Sequence, residues 1–423
     1  MLLLHLSDIH FRNSEINTSQ DPHHYLRNEL LRDAKNQCRM LGAPDAIIIS
    51  GDIAFSAQPE EYDFATKWIE ELCEACGSKM KDVVVVPGNH DVDRVDAGGT
   101  LVQMIHDTIK KSPTPSNVIR QHMQDPQTRN LLYKSLENYN EFASQFFCNL
   151  LPPDRTRVKK DLLLNDRSAL RVWGLNSVFV SSSKDKKGDL FLDSASLQIT
   201  NEDGVVNLVV AHHPLFWLRD SQTFDDHFNG VAPLQMFGHA HTNRVSNNAE
   251  YSRWIASAAN PDMQELGYEP GYNLIELEVA GGPTNRQLKI KSHERVWQTA
   301  PNGFRPKTHK GGVPFSTNTI DLEEWYPPEN LGSVIHSACP IDDVSLVEEM
   351  QLGIGGEMIT TREIGLMFYK LPFSKKMAIA GRLELLEEDD MHLPDHERFR
   401  LVVIRAAAGN KLEELADAVR NAK

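Results

Sequence analysis

The chain has 423 residues, 40% of them hydrophobic and 24% charged, which exceeds one ordinary hydrophobic core and excludes a disordered or collagenous class. Its 44 Lys and Arg against 59 Asp and Glu leave a net charge of −15, which argues against affinity built on broad phosphate neutralisation along a duplex and leaves only local basic patches open. No apolar run reaches the roughly 18 residues of a spanning helix, so no membrane partner is expected.

The first ten residues, MLLLHLSDIH, lack a basic flank and a small-residue cleavage site, so they read as a buried strand and the protein is expected in the cytoplasm. Short β-rich runs follow at Ala46 to Ser50, Val83 to Val86, Leu170 to Leu175 and Val206 to Ala211, each closed by a polar or Gly-containing turn. Between the first strands, His24 to Leu41 and Tyr62 to Cys76 carry apolar residues at helical spacing, so strand and helix alternate as in an α/β sheet. Five scattered cysteines fit a reducing compartment, and Cys73-x-x-Cys76, with no second pair to complete a zinc site, reads as two partly buried thiols.

After Asp91 the spacing becomes helical over 98–147, an insertion able to roof a site. Short strands return from Leu234 to His293, a second sheet that completes a domain over 1–297. Residues 298–330, rich in Gly, Pro and Thr, read as a linker or strap. From 331 to 423 the pattern is helical, with Ser374 placed to cap one helix and Leu412, Leu415, Ala416 and Val419 forming an apolar stripe.

Chemistry concentrates at the strand ends. Asp8-x-His10 follows the first strand, Gly51-Asp52 the second and Gly88-Asn89-His90-Asp91 the third; His212-His213 and Gly238-His239-Ala240-His241 follow later ones. Residues two apart on a strand project to one side, so Asp8 with His10, and His239 with His241, can each grip one ion. Five such blocks converge where an open α/β sheet places its site. Imidazoles mixed with carboxylate and amide oxygens suit Mn, Fe or Zn, and seven donors sharing a carboxylate suit two ions.

In order and composition these blocks resemble the calcineurin-like metallophosphoesterase superfamily over about residues 1–297. That resemblance implies a four-layer α/β sandwich of two mixed sheets flanked by helices, with the site at the sheet edges. It implies two divalent or trivalent transition-metal ions, manganese foremost with iron or zinc as alternatives. Asp8, His10 and His241 would hold one ion, Asn89, His212 and His239 the other, and Asp52 would bridge. His212 and His213 adjoin and face opposite ways on an extended strand end, so one ligates, and His212 is chosen. His90 would face the scissile phosphate and protonate the leaving oxygen, with Asp91 either orienting that imidazole or serving as a turn carboxylate. Arg94 is expected in a salt bridge.

An intact Asp8-x-His10 with histidine at 90 resembles the nucleotide phosphodiesterase and nuclease branches, so the expected substrate is a nucleotide or nucleic-acid phosphoester. A phosphomonoesterase is the alternative reaction, and a non-catalytic phosphate-binding scaffold the alternative class. Residues 331–423 hold 11 basic and 16 acidic side chains and none of the ligand motifs, so they are expected to bind a protein partner. The last fifty residues, from Leu371-Pro372-Phe373-Ser374 through Arg405-Ala406-Ala407-Ala408-Gly409, resemble the helical adaptor domains attached to effectors of bacterial conflict systems, which implies recruitment of the hydrolase in antiviral defence; a helical cap or dimerisation element is the alternative.

Overall fold

The computed structural model describes the chain except residues 17, 20, 154, 194–197, 262–268, 328–350, 355–356, 388–389, 391–392, 394 and 423. Its backbone begins with β1 (Leu2–Leu6), α1 (His24–Leu41), β2 (Ala46–Ile49), α2 (Pro59–Cys76) and β3 (Val83–Val85). All three strands are buried throughout, which is why they read as unbroken apolar runs. Leu26, Leu30, Ala34 and Cys38 form the buried stripe of α1. Gln58 and Glu61 close a capping box at the start of α2, where Pro59 takes the first helical position.

Five helices then replace the alternation: α3 (Arg94–Ala97), α4 (Thr100–Lys111), α5 (Pro115–Gln124), α6 (Pro126–Lys134) and α7 (Glu137–Ser144). The expected insertion is therefore helical. Next come β4 (Arg157–Leu163), β5 (Ala169–Leu175), β6 (Val205–Ala211), α8 (Ser221–Val231), β7 (Leu234–Phe237), β8 (Arg244–Asn247) and β9 (Ser252–Ile255). Then β10 (Gly271–Ala280), β11 (Gln287–Thr299), β12 (Asn302–Pro306) and β13 (Ser316–Asp321) return to the first sheet.

That first sheet runs β12-β11-β10-β1-β2-β3, with β13 also paired to β11, and the second runs β4-β5-β6-β7-β9-β8. Both are mixed sheets. Within them β1, β2 and β3 are mutually parallel, as are β5, β6, β7 and β9. The two sheets meet through buried contacts such as the Trp254 indole N–H donating to Ser292 Oγ at 2.9 Å. Helices flank them.

Two boundaries differ from the sequence reading. Residues 298–330 were expected as a linker or strap, yet β12 and β13 lie in that stretch and hydrogen-bond to β11. Only Ile320 of β13 is buried, so an edge strand with one inward side chain left almost no periodic signal. The chain accordingly divides into one compact unit of Met1–Tyr139 with Leu150–Glu329 and another of Asn140–Asn149 with Asn330–Lys423. The second unit borrows residues 140–147 from the expected insertion, together with Cys148 and Asn149.

Beyond residue 350 the second unit opens with a hairpin, β14 (Gln351–Ile354) and β15 (Glu357–Thr360), so 331–423 is not wholly helical as expected. Four helices follow: α9 (Thr361–Tyr369), α10 (Phe373–Arg382), α11 (Asp395–Ala408) and α12 (Leu412–Asn421). Their core unites Ile364, Phe368, Phe399, Val402, Val403, Leu415 and Val419, and Phe147 packs into it, which explains why 140–149 belong here. Pro372, not Ser374, sits at the N-cap of α10. The helical expectation for 331–350 lies outside the described residues.

Candidate metal centre

All five motif loops leave C-terminal strand ends whose register is matched, Leu6 with Ile49, Ile49 with Val85, and Ala211 with Phe237. They therefore emerge at one edge. Asp8, His10, Asp52, His239 and His241 all adopt positive φ, between 51° and 64°. Asp and His tolerate this left-handed region better than most side chains, and such strain persists where the surroundings over-determine it. Glycines permit the loops to touch. A Cβ on Gly88 would stand 2.2 Å from the Asp52 backbone nitrogen, and one on Gly238 would stand 2.0 Å from Ser7 Oγ and 3.0 Å from Asp8 Oδ2.

The seven sequence-predicted ligands come together. His10 Nε2 lies 3.2 Å and His212 Nε2 3.3 Å from the same atom, Asp52 Oδ2. His212 Nε2 is also 3.0 Å from Asn89 Oδ1, and His241 Nε2 is 3.2 Å from Asp8 Oδ1. The His239 backbone N–H donates to Asp8 Oδ2 at 3.1 Å, which ties the second sheet's loop to the first. Four overlapping groups have their ligand atoms within 4.8 Å of one another: Asp8, His10 and His241; Asp8, Asp52 and His212; His10, Asp52 and His90; and His212, His213 and His239. Asp52 belongs to two of these, as a shared carboxylate must.

The donor chemistry calls for a shared proton or cation at the centre. His212 Nδ1 sits 2.9 Å from the Ser50 carbonyl, which can only accept, so Nδ1 carries the hydrogen. A neutral ring then aims its Nε2 lone pair at the oxygens of Asp52 and Asn89. Acceptor faces acceptor, and only a proton or a cation satisfies all three. Burial alone would lower the His212 pKa, but Asp52 and Asp8 beside it push it up to about 9. Burial would raise the Asp8 and Asp52 carboxyls, yet His241 beside Asp8 and His212 beside Asp52 hold both below the usual carboxylate range. His239 is driven down to about 3 by burial and by neighbouring His212.

His213, weighed against His212 in the sequence and not chosen as the ligand, also reaches this cluster. Its Nδ1 meets Ser177 Oγ at 2.9 Å, while its buried Nε2 has no hydrogen-bond partner among the described residues. Trp217 also adjoins the centre, edge-on to His239 with ring centroids 4.2 Å apart. Trp217 belongs to no motif that spacing could reveal.

His90 adjoins the cluster, its backbone N–H donating to Asp52 Oδ1 at 2.7 Å and its ring 4.8 Å from that of His10. Its pKa is lowered by burial, against the opposing pull of Asp52. Of the two roles offered for Asp91, the contacts match the turn carboxylate and not the one that orients the imidazole. Its carboxylate accepts from the backbone N–H groups of Ile53, Ala54 and Gly88 at 3.2, 2.9 and 2.9 Å, and from the Tyr62 hydroxyl at 3.1 Å. Those bonds tie down loops and do not reach the imidazole, whose Nδ1 donates instead to the Phe55 carbonyl at 2.8 Å. Nor does Arg94 make a salt bridge among the described residues; its guanidinium lies 3.2 Å from His90 Nδ1.

Comparison with known proteins agrees with this geometry. A model of the calcineurin-like phosphoesterase family matches residues 1–243, and one of the GTPase-associated adaptor domain matches residues 360–421. The metallophosphoesterase-like protein YydB of Bacillus subtilis is 23% identical over 75% of this chain, which spans 65% of that protein. Glycerophosphodiester phosphodiesterase GpdQ of Enterobacter lignolyticus is 35% identical over 22% of this chain and 30% of its own length. Among solved structures, purple acid phosphatase PPD1 of yellow lupin is 11% identical over 79% of this chain and 57% of its own, with a TM-score of 0.40. With its family model spanning more than half the sequence and the metal-ligand clusters that family needs gathered at one sheet edge, this chain belongs to the calcineurin-like phosphoesterases.

Proposed function

We propose that the chain is a dinuclear-metal phosphodiesterase acting on nucleotides or nucleic-acid ends, delivered to its site of action by its C-terminal helical unit. The observation that carries this reading is a full donor set with His90 beside it, its Nδ1 engaged and its Nε2 free for a leaving group. Asp8, His10 and His241 would hold one ion, and Asn89, His212 and His239 the other, with Asp52 between. Manganese suits this mixture of imidazole and oxygen donors, with iron or zinc as alternatives. Bound divalent ions supply charge neutralisation at the phosphate and lower the pKa of water toward neutrality.

The chain's own residues do the positioning. Asp52 holds His90 through its backbone N–H and orients the His10 and His212 rings. Nε2 of a protonated His90 gives its proton to the departing oxygen, a step worth about 10²–10⁴ in rate for general acids. Similarity to GpdQ, a glycerophosphodiester phosphodiesterase, supports a diester substrate. Turnover of bis(4-nitrophenyl) phosphate against 4-nitrophenyl phosphate, with manganese supplied, tests the reading. Diester preference is expected, and a monoester preference of about 100-fold, near 2.7 kcal/mol in the barrier, would reverse it.

The adaptor match over 360–421 supports recruitment of the hydrolase by a protein partner, with bacterial conflict and phage defence as its setting. Circular dichroism of residues 331–423 expressed alone should show a folded helical domain. An unfolded segment would count against an independent adaptor.

A further inference from the structure

The stretch from Ile53 to Gln58, between Asp52 and α2, holds none of the proposed ligands, yet two buried carboxyl groups grip its backbone. Asp91 accepts from the N–H groups of Ile53 and Ala54. Glu61, also buried, accepts from Phe55, Ser56 and Gln58 through Oε2 at 3.2, 2.9 and 3.2 Å, and from Asn13 through Oε1 at 3.0 Å. The Phe55 N–H is shared with the Phe11 carbonyl at 3.0 Å. So many donors on two buried carboxyl groups leave this turn little freedom, since releasing one leaves a backbone N–H to find another partner.

What the turn presents is Phe55, and Phe55 meets His90 twice. Its carbonyl accepts from Nδ1 at 2.8 Å, and its ring stacks on the imidazole with centroids 4.8 Å apart and planes 28° from parallel. The guanidinium of Arg12 lies 4.0 Å from the Phe55 ring centre, a cation held against the aromatic face. The hydrogen bond fixes the tautomer and the stack fixes the plane. Together they leave Nε2 in one direction.

We propose that Phe55 is a positioning residue, the part of the chain that aims His90 Nε2 at the leaving oxygen. This rests on the reading of His90 as the general acid. In that step the phosphorus–oxygen bond to the leaving alcohol breaks and its electron pair stays on that oxygen, which takes the Nε2 proton. A water oxygen forms the new bond to phosphorus and releases its proton to solvent. Asp91 contributes at one remove, through the turn that bears Phe55 and not through the imidazole itself.

Phe55→Leu removes the ring and keeps the backbone carbonyl. A leaving alkoxide needs the proton and a 4-nitrophenolate hardly does, so the two substrates separate aim from general damage. The variant should lose at least about tenfold more kcat on an alkyl phosphodiester than on a 4-nitrophenyl phosphodiester, with bound manganese unaltered and Phe55→Tyr restoring the wild-type ratio. Equal losses on both substrates, or no loss, would overturn the proposal. His90→Ala run in parallel distinguishes the failures. If it lacks the same leaving-group dependence, the general-acid reading fails with the proposal; if it shows that dependence and Phe55→Leu does not, the positioning role alone is refuted. A crystal structure of Phe55→Leu gives a readout independent of turnover: the His90 ring should leave its present plane while Asn89 and Asp52 stay in place, and an unmoved ring would overturn the assignment.

Discussion

The metal centre and the C-terminal helical unit are built on opposite principles. At the centre, Asp8, His10, Asp52 and His212 are buried polar groups whose loops accept left-handed backbone to bring donors together. The helical unit buries Phe368, Phe399, Val402, Leu415 and Val419 in ordinary helices. Chemistry admits few substitutes in the first region, and packing admits many in the second. An active site can therefore be read residue by residue, whereas an adaptor is legible chiefly as a pattern of apolar spacing.

Substitutions can break this contrast. Asp52→Asn removes the shared charge between His10 and His212, and several kcal/mol of lost stabilisation corresponds to about a thousandfold fall in hydrolysis, read with a nitrophenyl diester. His90→Ala should cost about a hundredfold on a substrate with a poor leaving group while metal content holds, measured by turnover and elemental analysis together. A fall no larger than that of a surface substitution would remove His90 from the mechanism.

Leu415→Ala sharpens the contrast from the other side. This fully buried side chain should cost about 2–5 kcal/mol in the stability of the helical unit, followed by urea unfolding, with phosphodiester turnover retained. Lost turnover would show that the centre depends on that core.

The smallest effect concerns acid. His106 in α4 is 3% exposed, and burial with nearby Lys110 lowers its pKa to about 4. A ring that folds neutral stabilises fully above its unfolded value of about 6.5, and that contribution is lost as pH falls through about 4. Wild type should lose on the order of 2–3 kcal/mol more than His106→Leu between pH 7 and pH 4, seen as a steeper drop in unfolding midpoint. Parallel pH curves for the two proteins would contradict this.

The strands that carry ligands were legible because each ends in a motif with glycine or paired histidines, and alternation with α1 and α2 set their order. β12 and β13 were hidden, since edge strands of Gly, Pro and Thr with few inward side chains mimic a linker. The transfer of 140–149 to the helical unit depends on where Phe147 packs, which no local spacing encodes. Asp91 misled for a different reason. Adjacency in sequence suggested contact with His90, but the Asp91 carboxyl group turns to backbone N–H groups and the Tyr62 hydroxyl, while the imidazole meets the Phe55 carbonyl.

Anomalous X-ray scattering from crystals of the manganese-loaded protein tests the central claim most directly. Two peaks flanking Asp52, one contacted by Asp8, His10 and His241 and the other by Asn89, His212 and His239, are the expected result. Density for no ion at this sheet edge in protein that hydrolyses phosphodiesters, or ions held by other side chains, would contradict it.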